Sequence, residues 1–217
     1  MKNILLCCIT TEKNADRREL FASNIANKMP YLFYSDHSDP SQKVIKVSDR
    51  TDYKSGEEKH LNLLNLLLAL DLGYKWYFFC DDDTYVHPGN LEEYAKSAQT
   101  DKIHGSIFNY ENHSVKDIFE IYSKEFEYPS GGAGYLVSDQ VLKTNSFYKS
   151  FDTGYGDASF GLNFLHRKIF VNMEGAHMSY PAAYGHDAIQ IQNAISYHYI
   201  INEERFSPIR QAQALLG

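Results

Sequence analysis

Trp76-Tyr77-Phe78-Phe79-Cys80-Asp81-Asp82-Asp83-Thr84-Tyr85-Val86 is the stretch that decides how this sequence is read. The apolar run from Trp76 to Cys80 has no polar interruption. That is the pattern of a central strand in a parallel sheet covered on both faces. The strand then runs straight into three carboxylates, Asp81, Asp82 and Asp83. Adjacent acids repel one another unless a cation or hydrogen-bond donors compensate them. At the carboxyl end of a central strand they stand where α/β folds hold ligands. Hard oxygen ligands suit Mg²⁺ or Mn²⁺, and such an ion could bridge to a diphosphate and neutralise it. The plainer reading is an acidic loop that caps a helix or faces water. The apolar run immediately before it weighs against that.

Outward from this stretch, strand and helix patterns alternate, which predicts an α/β sandwich. Towards the N-terminus, residues 3–10 and 31–34 read as strands, 44–47 as a short third strand, and 15–28 as a helix. Residues 56–72 give the clearest helix, apolar on more than one face and stopped by Gly73. Towards the C-terminus, Asn90 is expected to cap a helix over 91–98, with strands at 103–108 and 135–137. A further helix is expected over 157–166, and a closing helix from about residue 203.

The 217 residues carry a formal net charge of −7, which argues against a broad nucleic-acid footprint. They suffice for one large domain. Cys7, Cys8 and Cys80 all lie in strand-like runs and read as buried small hydrophobes rather than disulfide partners, which fits a reducing compartment. The apolar run Ile4–Ile9 is short for a signal peptide, and the leucine-rich stretch Leu61–Leu72 is interrupted by Asn62, Asn65 and Asp71. No transmembrane segment is expected, and the expected location is cytoplasmic or peripheral at the inner membrane face.

The stretch KWYFFCDDDTYV resembles the aspartate motif of the Fringe and core-1 β1,3-galactosyltransferase superfamily. Three more segments are similar to that superfamily's motifs, in the same order. They are the glycine-rich Tyr128–Ser138, the acidic helix start Gly156–Gly161, and the late histidine strand Ser196–Ile200. Thr10, Thr11 and the Asp16-Arg17 pair resemble its nucleotide-facing N-terminal segment. The likeness spans about residues 3–200.

This resemblance implies a GT-A fold, a nucleotide-diphosphosugar transferase domain with a mixed, mostly parallel central sheet flanked by helices. One domain over residues 1–217 would comprise a nucleotide-binding half (1–100) and an acceptor-binding half (101–217). It implies an inverting, Mn²⁺- or Mg²⁺-dependent transferase. Such an enzyme moves a sugar, galactose first and N-acetylglucosamine next, from a UDP-sugar to a glycan acceptor in β1,3 linkage. The acceptor could be a lipid-linked or cell-surface glycan precursor. By the same analogy Asp83 and His198 are the metal ligands, Asp82 contacts the ribose or sugar side of the donor, and Asp157 is the base. Thr10, Arg17, Asp36, Lys59, Asp81, Gly132 and Ala133 would serve the donor pocket. Two departures stand out: Gly156 replaces the superfamily's usual acid before the base, and no anchor or disulfide set is evident.

Each role has a plainer competitor. Asp157 opens a predicted helix, where Asp is a common cap. His198 could be an ordinary core histidine, with His177 and His186 as rivals; His60, His104, His113 and His166 have no supporting context. The Gly131–Gly134 segment permits close backbone approach to a ligand, or simply turns. Arg17, Arg18 and Lys59 could reach a diphosphate or remain structural. Tyr155, Tyr180 and Tyr184 are candidate acceptor platforms. Two other functions stay open: a metal-dependent phosphoesterase, which would need a second acidic cluster, and a non-catalytic glycan-binding relative, hinted at by Gly156.

Overall fold

The computed structural model describes residues 2–52, 54–111 and 117–216; His113 lies outside them. A seven-stranded sheet forms the centre, in the order β10-β6-β9-β4-β1-β2-β3. Its strands are β1 (Lys2–Ile9), β2 (Tyr31–Ser35), β3 (Val44–Lys46), β4 (Tyr74–Asp81), β6 (Ile103–Gly105), β9 (Tyr135–Ser138) and β10 (Phe170–Asn172). Strands β3, β2, β1 and β4 run parallel. Only β9 opposes its neighbours, pairing antiparallel with both β4 and β6.

The apolar continuity of β1 and β4 follows from their central place. Along β1, Leu5 and Cys7 enter one core and Ile4, Leu6 and Cys8 the other, as the two-residue period of a strand requires. The first core lies under α2 (Ser55–Leu70) and α6 (Gly156–Leu162); the second lies under α1 (Ala15–Ile25) and α3 (Pro88–Ser97). Cys7, Cys8 and Cys80 are buried and free, as expected.

Several boundaries differ from expectation. Helix α3 begins at Pro88, not 91, and its cap is His87, whose imidazole accepts from the Asn90 N–H; Asn90 itself lies inside the helix. Proline at the first helical position was the overlooked start signal. Helix α6 stops at Leu162, short of 166, and His166 turns into the left-handed region at φ 65°. Helix α1 ends at Ile25, short of 28. The expected 103–108 strand is two: β6 and then β7 (Ile107–Phe108), which pairs with β8 (Tyr128–Pro129).

A second, three-stranded sheet has the order β11-β12-β5. It comprises β5 (Tyr85–Val86), β11 (Ala176–His177) and β12 (Ser196–Tyr197). The remaining helices are α4 (Asp117–Tyr122), α5 (Asp139–Leu142), α7 (Pro181–Tyr184), α8 (Ala188–Asn193) and the closing α9 (Glu203–Leu216). No described helix is long and apolar enough to cross a membrane.

Candidate active site

Strand β4 delivers Asp81, Asp82 and Asp83 to a cavity of about 520 Å³ at its carboxyl end. The chain then turns into β5, which pairs antiparallel with β12 in the register Tyr85↔Tyr197 and Val86↔Ser196. That register brings the residue after β12, His198, back over the acidic turn. The Ile200 N–H donates to the Asp83 carbonyl at 2.8 Å, and the His198 N–H to the His177 carbonyl at 3.0 Å. Nε2 of His198 lies 3.3 Å from Oδ1 of Asp83 and 3.6 Å from Oδ2 of Asp81.

Asp81, Asp83 and His198 each present one ligand atom, all within 4.8 Å of one another. Among the described residues this is the one grouping of three or more such side chains. Two carboxylate oxygens and an imidazole nitrogen form a hard, mixed donor set suited to a divalent cation. The electrostatics agree with a site short of positive charge. Desolvation first, and the carboxylates of Asp83, Asp157 and Asp82 after it, push Asp81 up to about 7 against the pull of His198. His198 is held above its ordinary value by Asp83 and Asp81, although burial works the other way.

The three aspartates take different directions. Asp82 reaches back to the N-terminal segment, accepting from Thr10 Oγ1 at 2.6 Å and Asn14 Nδ2 at 2.8 Å. Arg17 spans Asp82 and Asp83 at 3.4 Å each. Asp82 and Thr10 both line the cavity, and the hydrogen bond between them ties the end of β1 to the tip of β4. Asn14, which completes this tie, was missed; nothing distinguishes it in sequence.

Asp157 sits in the first turn of α6. Its Oδ2 accepts from the Gly131 N–H at 2.9 Å and its Oδ1 from the Ala158 N–H at 2.9 Å. A Cβ built on Gly131 would lie 3.4 Å from Asp157 Oδ2 and 3.7 Å from Asp81 Oδ1, so this glycine stands between the two carboxylates. Asp157 therefore shares the cavity with the Asp–Asp–His trio.

The other expected donor-pocket residues divide. Arg17, Lys59, Asp81 and Gly132 line the cavity; Asp36 and Ala133 do not. Lys59 is buried and donates to Asp36 Oδ2 at 3.0 Å. Desolvation raises Asp36, but the hydrogen bonds and charge of Lys59 and Ser35 outweigh it and take the carboxyl down to about 2. Asp36 thus acts on the cavity through Lys59. Ala133 is fully buried, its N–H taken by Ser130 Oγ and its carbonyl by Ser196 Oγ. In the glycine-rich turn, where Gly131 and Gly132 line the cavity, a Cβ at Gly132 would collide with the His198 ring, and one at Gly134, at φ 82°, with the Phe78 ring. Gly132 makes room for the histidine and Gly134 for the phenylalanine.

His177 and His186 do not reach the acidic trio. His177 stacks on Tyr197 at 4.8 Å and His186 Nδ1 is hydrogen-bonded to Tyr197 Oη at 2.7 Å, beside a separate open groove. His60 does line the cavity, its two ring nitrogens bonded to Tyr34 Oη at 2.9 Å and Tyr135 Oη at 2.5 Å. Burial takes it down to about 3, so it is neutral. Of the three tyrosines proposed as platforms, only Tyr155 lines the cavity; Tyr180 packs under Arg205, and Tyr184 joins the His186 cluster. Tyr199, not singled out in the sequence, also lines it, stacked on His198 at 3.8 Å between centroids.

Residues 1–155 match the sequence profile of the Fringe-like family. The chain belongs to the Fringe-like family. As a Fringe-like protein with this sheet it is a glycosyltransferase of the GT-A fold, and solved structures agree with that fold. A glycosyltransferase involved in glycosylation of the major capsid of PBCV-1 superposes with a TM-score of 0.53 at 11% identity, covering 97% of this chain and 98% of that one. The galactosyltransferase LgtC, in complex with donor and acceptor sugar analogues, gives 0.58 at 11% identity, with coverages of 98% and 96%. The glycosyltransferase GlyE of Streptococcus pneumoniae TIGR4 gives 0.55 at 9%, with coverages of 92% and 55%. No curated protein sequence matches the chain significantly. The Fringe-like match contains the aspartate run but ends before Asp157 and His198.

Proposed function

We propose that this Fringe-like glycosyltransferase is an inverting enzyme that transfers galactose or N-acetylglucosamine from a UDP-sugar to a glycan hydroxyl, forming a β1,3 linkage. The observation that carries the reading is one cavity holding both the Asp81–Asp83–His198 trio and the Asp157 carboxylate. Asp81, Asp83 and His198 would hold the cation, and Asp82 with Thr10, Asn14 and Arg17 would form the wall behind it. Mn²⁺ or Mg²⁺, when bound, neutralises the donor diphosphate and the charge that grows on the departing nucleotide. Asp157 takes the proton from the acceptor hydroxyl as that oxygen attacks the anomeric carbon; the bond from that carbon to the UDP oxygen breaks, and UDP leaves with the bonding pair. The Gly131 N–H fixes one oxygen of Asp157, and Lys59, braced by Asp36, lends positive charge to the donor side. Residues 1–100 would thus serve mainly the nucleotide and residues 101–217 the acceptor, with Tyr155 and Tyr199 as stacking faces for sugar.

The competing functions lose their footing. A two-metal phosphoesterase needs a second acidic cluster, and the described residues offer one grouping. Gly156, the hint of a non-catalytic relative, has a packing reason: a Cβ there would come within 2.6 Å of His60 Cβ and 3.0 Å of the Gly56 carbonyl. The acceptor fitting this reading is a lipid-linked or cell-surface glycan precursor, met in the cytoplasm or at the inner membrane face. Recovery of the native protein outside the cytoplasmic and membrane-peripheral fractions would contradict that location.

The decisive experiment measures UDP release from a panel of UDP-sugars with Mn²⁺, comparing the purified chain with Asp83→Ala. Metal-dependent release from one donor, lost in the variant, is expected. A chain that binds and turns over no nucleotide diphosphosugar with any divalent metal would sink the proposal.

A further inference from the structure

We infer that Glu57 is a positioning residue that holds Asp157 at the cavity by clamping the turn in front of it, an assignment that rests on the reading of Asp157 as the base. Glu57 lies in the first turn of α2 and is 5% exposed. Its Oε1 accepts from Ser150 Oγ at 2.6 Å, Phe151 N at 3.0 Å, Asp152 N at 3.1 Å and Ser159 Oγ at 2.6 Å. Its Oε2 accepts from Gly154 N at 2.7 Å and Thr153 Oγ1 at 3.4 Å. One carboxylate therefore gathers the whole segment 150–154 and, through Ser159, the helix that carries Asp157.

The donors are all uncharged, so hydrogen bonds from amides and hydroxyls are the main compensation of this buried anion, with the Arg50 charge and the start of α2 as more diffuse support. Desolvation raises Glu57, yet the bonds from Ser150, Ser159, Gly154 and Phe151 together carry it below its ordinary value. The segment it holds has no regular structure of its own, and it contains two left-handed residues, Asp152 at φ 55° and Gly154 at φ 75°. Without the clamp the Gly154 amide loses its acceptor, and those of Phe151 and Asp152 keep only longer contacts, to Ser159 Oγ at 3.3 Å and Ser150 Oγ at 3.2 Å. Helices α2 and α6 also meet closely, with Gly156 against Gly56 and His60. The clamp and this contact fix α6 from the same side, on an element that supplies no metal ligand. Displacing a reacting group by about 1 Å is enough to cost about a hundredfold in rate.

Glutamine is the sharp substitution. Its oxygen can serve one set of donors, but its amide nitrogen then faces an N–H or hydroxyl that needs an acceptor. Ser159→Ala removes one of the six bonds to Glu57, together with the longer contacts of the same hydroxyl to Phe151 N at 3.3 Å and Thr153 Oγ1 at 3.2 Å, and leaves the carboxylate in place, which guards against a Glu57→Gln protein that fails to fold. Amide hydrogen exchange at Phe151, Asp152 and Gly154 reads the clamp without substrate, and turnover of UDP-galactose or UDP-N-acetylglucosamine with Mn²⁺ reads its consequence. In Glu57→Gln, exchange should rise at least about tenfold and kcat fall about tenfold to a hundredfold, while calorimetric UDP affinity stays within about twofold. Ser159→Ala should show the same pattern, smaller. Wild-type exchange in both variants, faster exchange with unchanged kcat, or a kcat loss matched by lost UDP binding would each overturn the inference. If Asp157→Asn keeps full turnover, or the unmodified chain has none, the functional reading fails and takes the positioning role with it. That result is distinct from an inactive Asp157→Asn beside a fully active Glu57→Gln.

Discussion

Two acidic centres in this molecule, one partly open to its cavity and one buried, are compensated in opposite ways. At the tip of β4, Asp81 and Asp83 crowd against each other and against Asp157, with His198 and a long contact from Arg17 as their positive neighbours. At the start of α2, Glu57 is surrounded by three backbone N–H groups and three hydroxyls. The first centre is short of compensating charge and, on the proposed reading, would gain from a cation; the second is complete. Carboxylates that look alike in sequence are thus told apart by their donors: a surfeit marks structure, a deficit marks a place for a ligand.

The largest effect expected is on Asp157. Asp157→Asn should lower kcat by about 10²–10⁴-fold with UDP affinity retained, measured by transfer assay and calorimetry. Next comes removal of the cation or of Asp83. Chelation, or Asp83→Ala, should cost about 10²–10³-fold, and added Mn²⁺ should restore only the unsubstituted chain. The contrast itself is tested by stability without metal. Glu57→Gln should lose about 2 kcal/mol in urea unfolding, because it strands buried donors. Asp81→Asn should instead gain about 1 kcal/mol, a figure kept small because its side chain is 40% exposed. If both variants are destabilised, the two centres do not differ as argued.

The smallest effect concerns Asp36. Its carboxyl lies at about 2 when folded against an ordinary 3.8, so the stability it lends is present above pH 3.8 and lost as pH falls towards 2. About 1–2 kcal/mol should disappear across that window. Asp36→Asn should be weaker at neutral pH, because Lys59 is left buried alone, and flatter below pH 4 in acid titration.

The fold was legible because its signal is coarse. Unbroken apolar runs in β1 and β4 announce a sheet covered on both faces, and the helix patterns between them leave few topologies. The acidic run was legible for the same reason, since three charges behind five core residues admit few explanations. His198 was reachable only through likeness to a family, because a histidine between two tyrosines carries no metal signal of its own. Its partnership with Asp83 depends on the β5–β12 register, which no local pattern encodes. Glu57 was invisible because an acid in the first turn of a helix already has an ordinary explanation in the helix dipole. The glycine-rich turn was legible as a site of close approach, but not as one whose partner is an imidazole.

The pairing of β5 with β12 has a consequence for the order in which the protein becomes competent. Asp81 and Asp83 are laid down by residue 83, whereas the imidazole that meets them arrives with a segment near the end of the described chain. During synthesis, a growing polypeptide could bury its first strands and still have no grip on a cation. On the proposed reading the trio is completed last, when β12 pairs with β5, so a stalled or truncated chain would be folded in part yet inert toward sugar nucleotides.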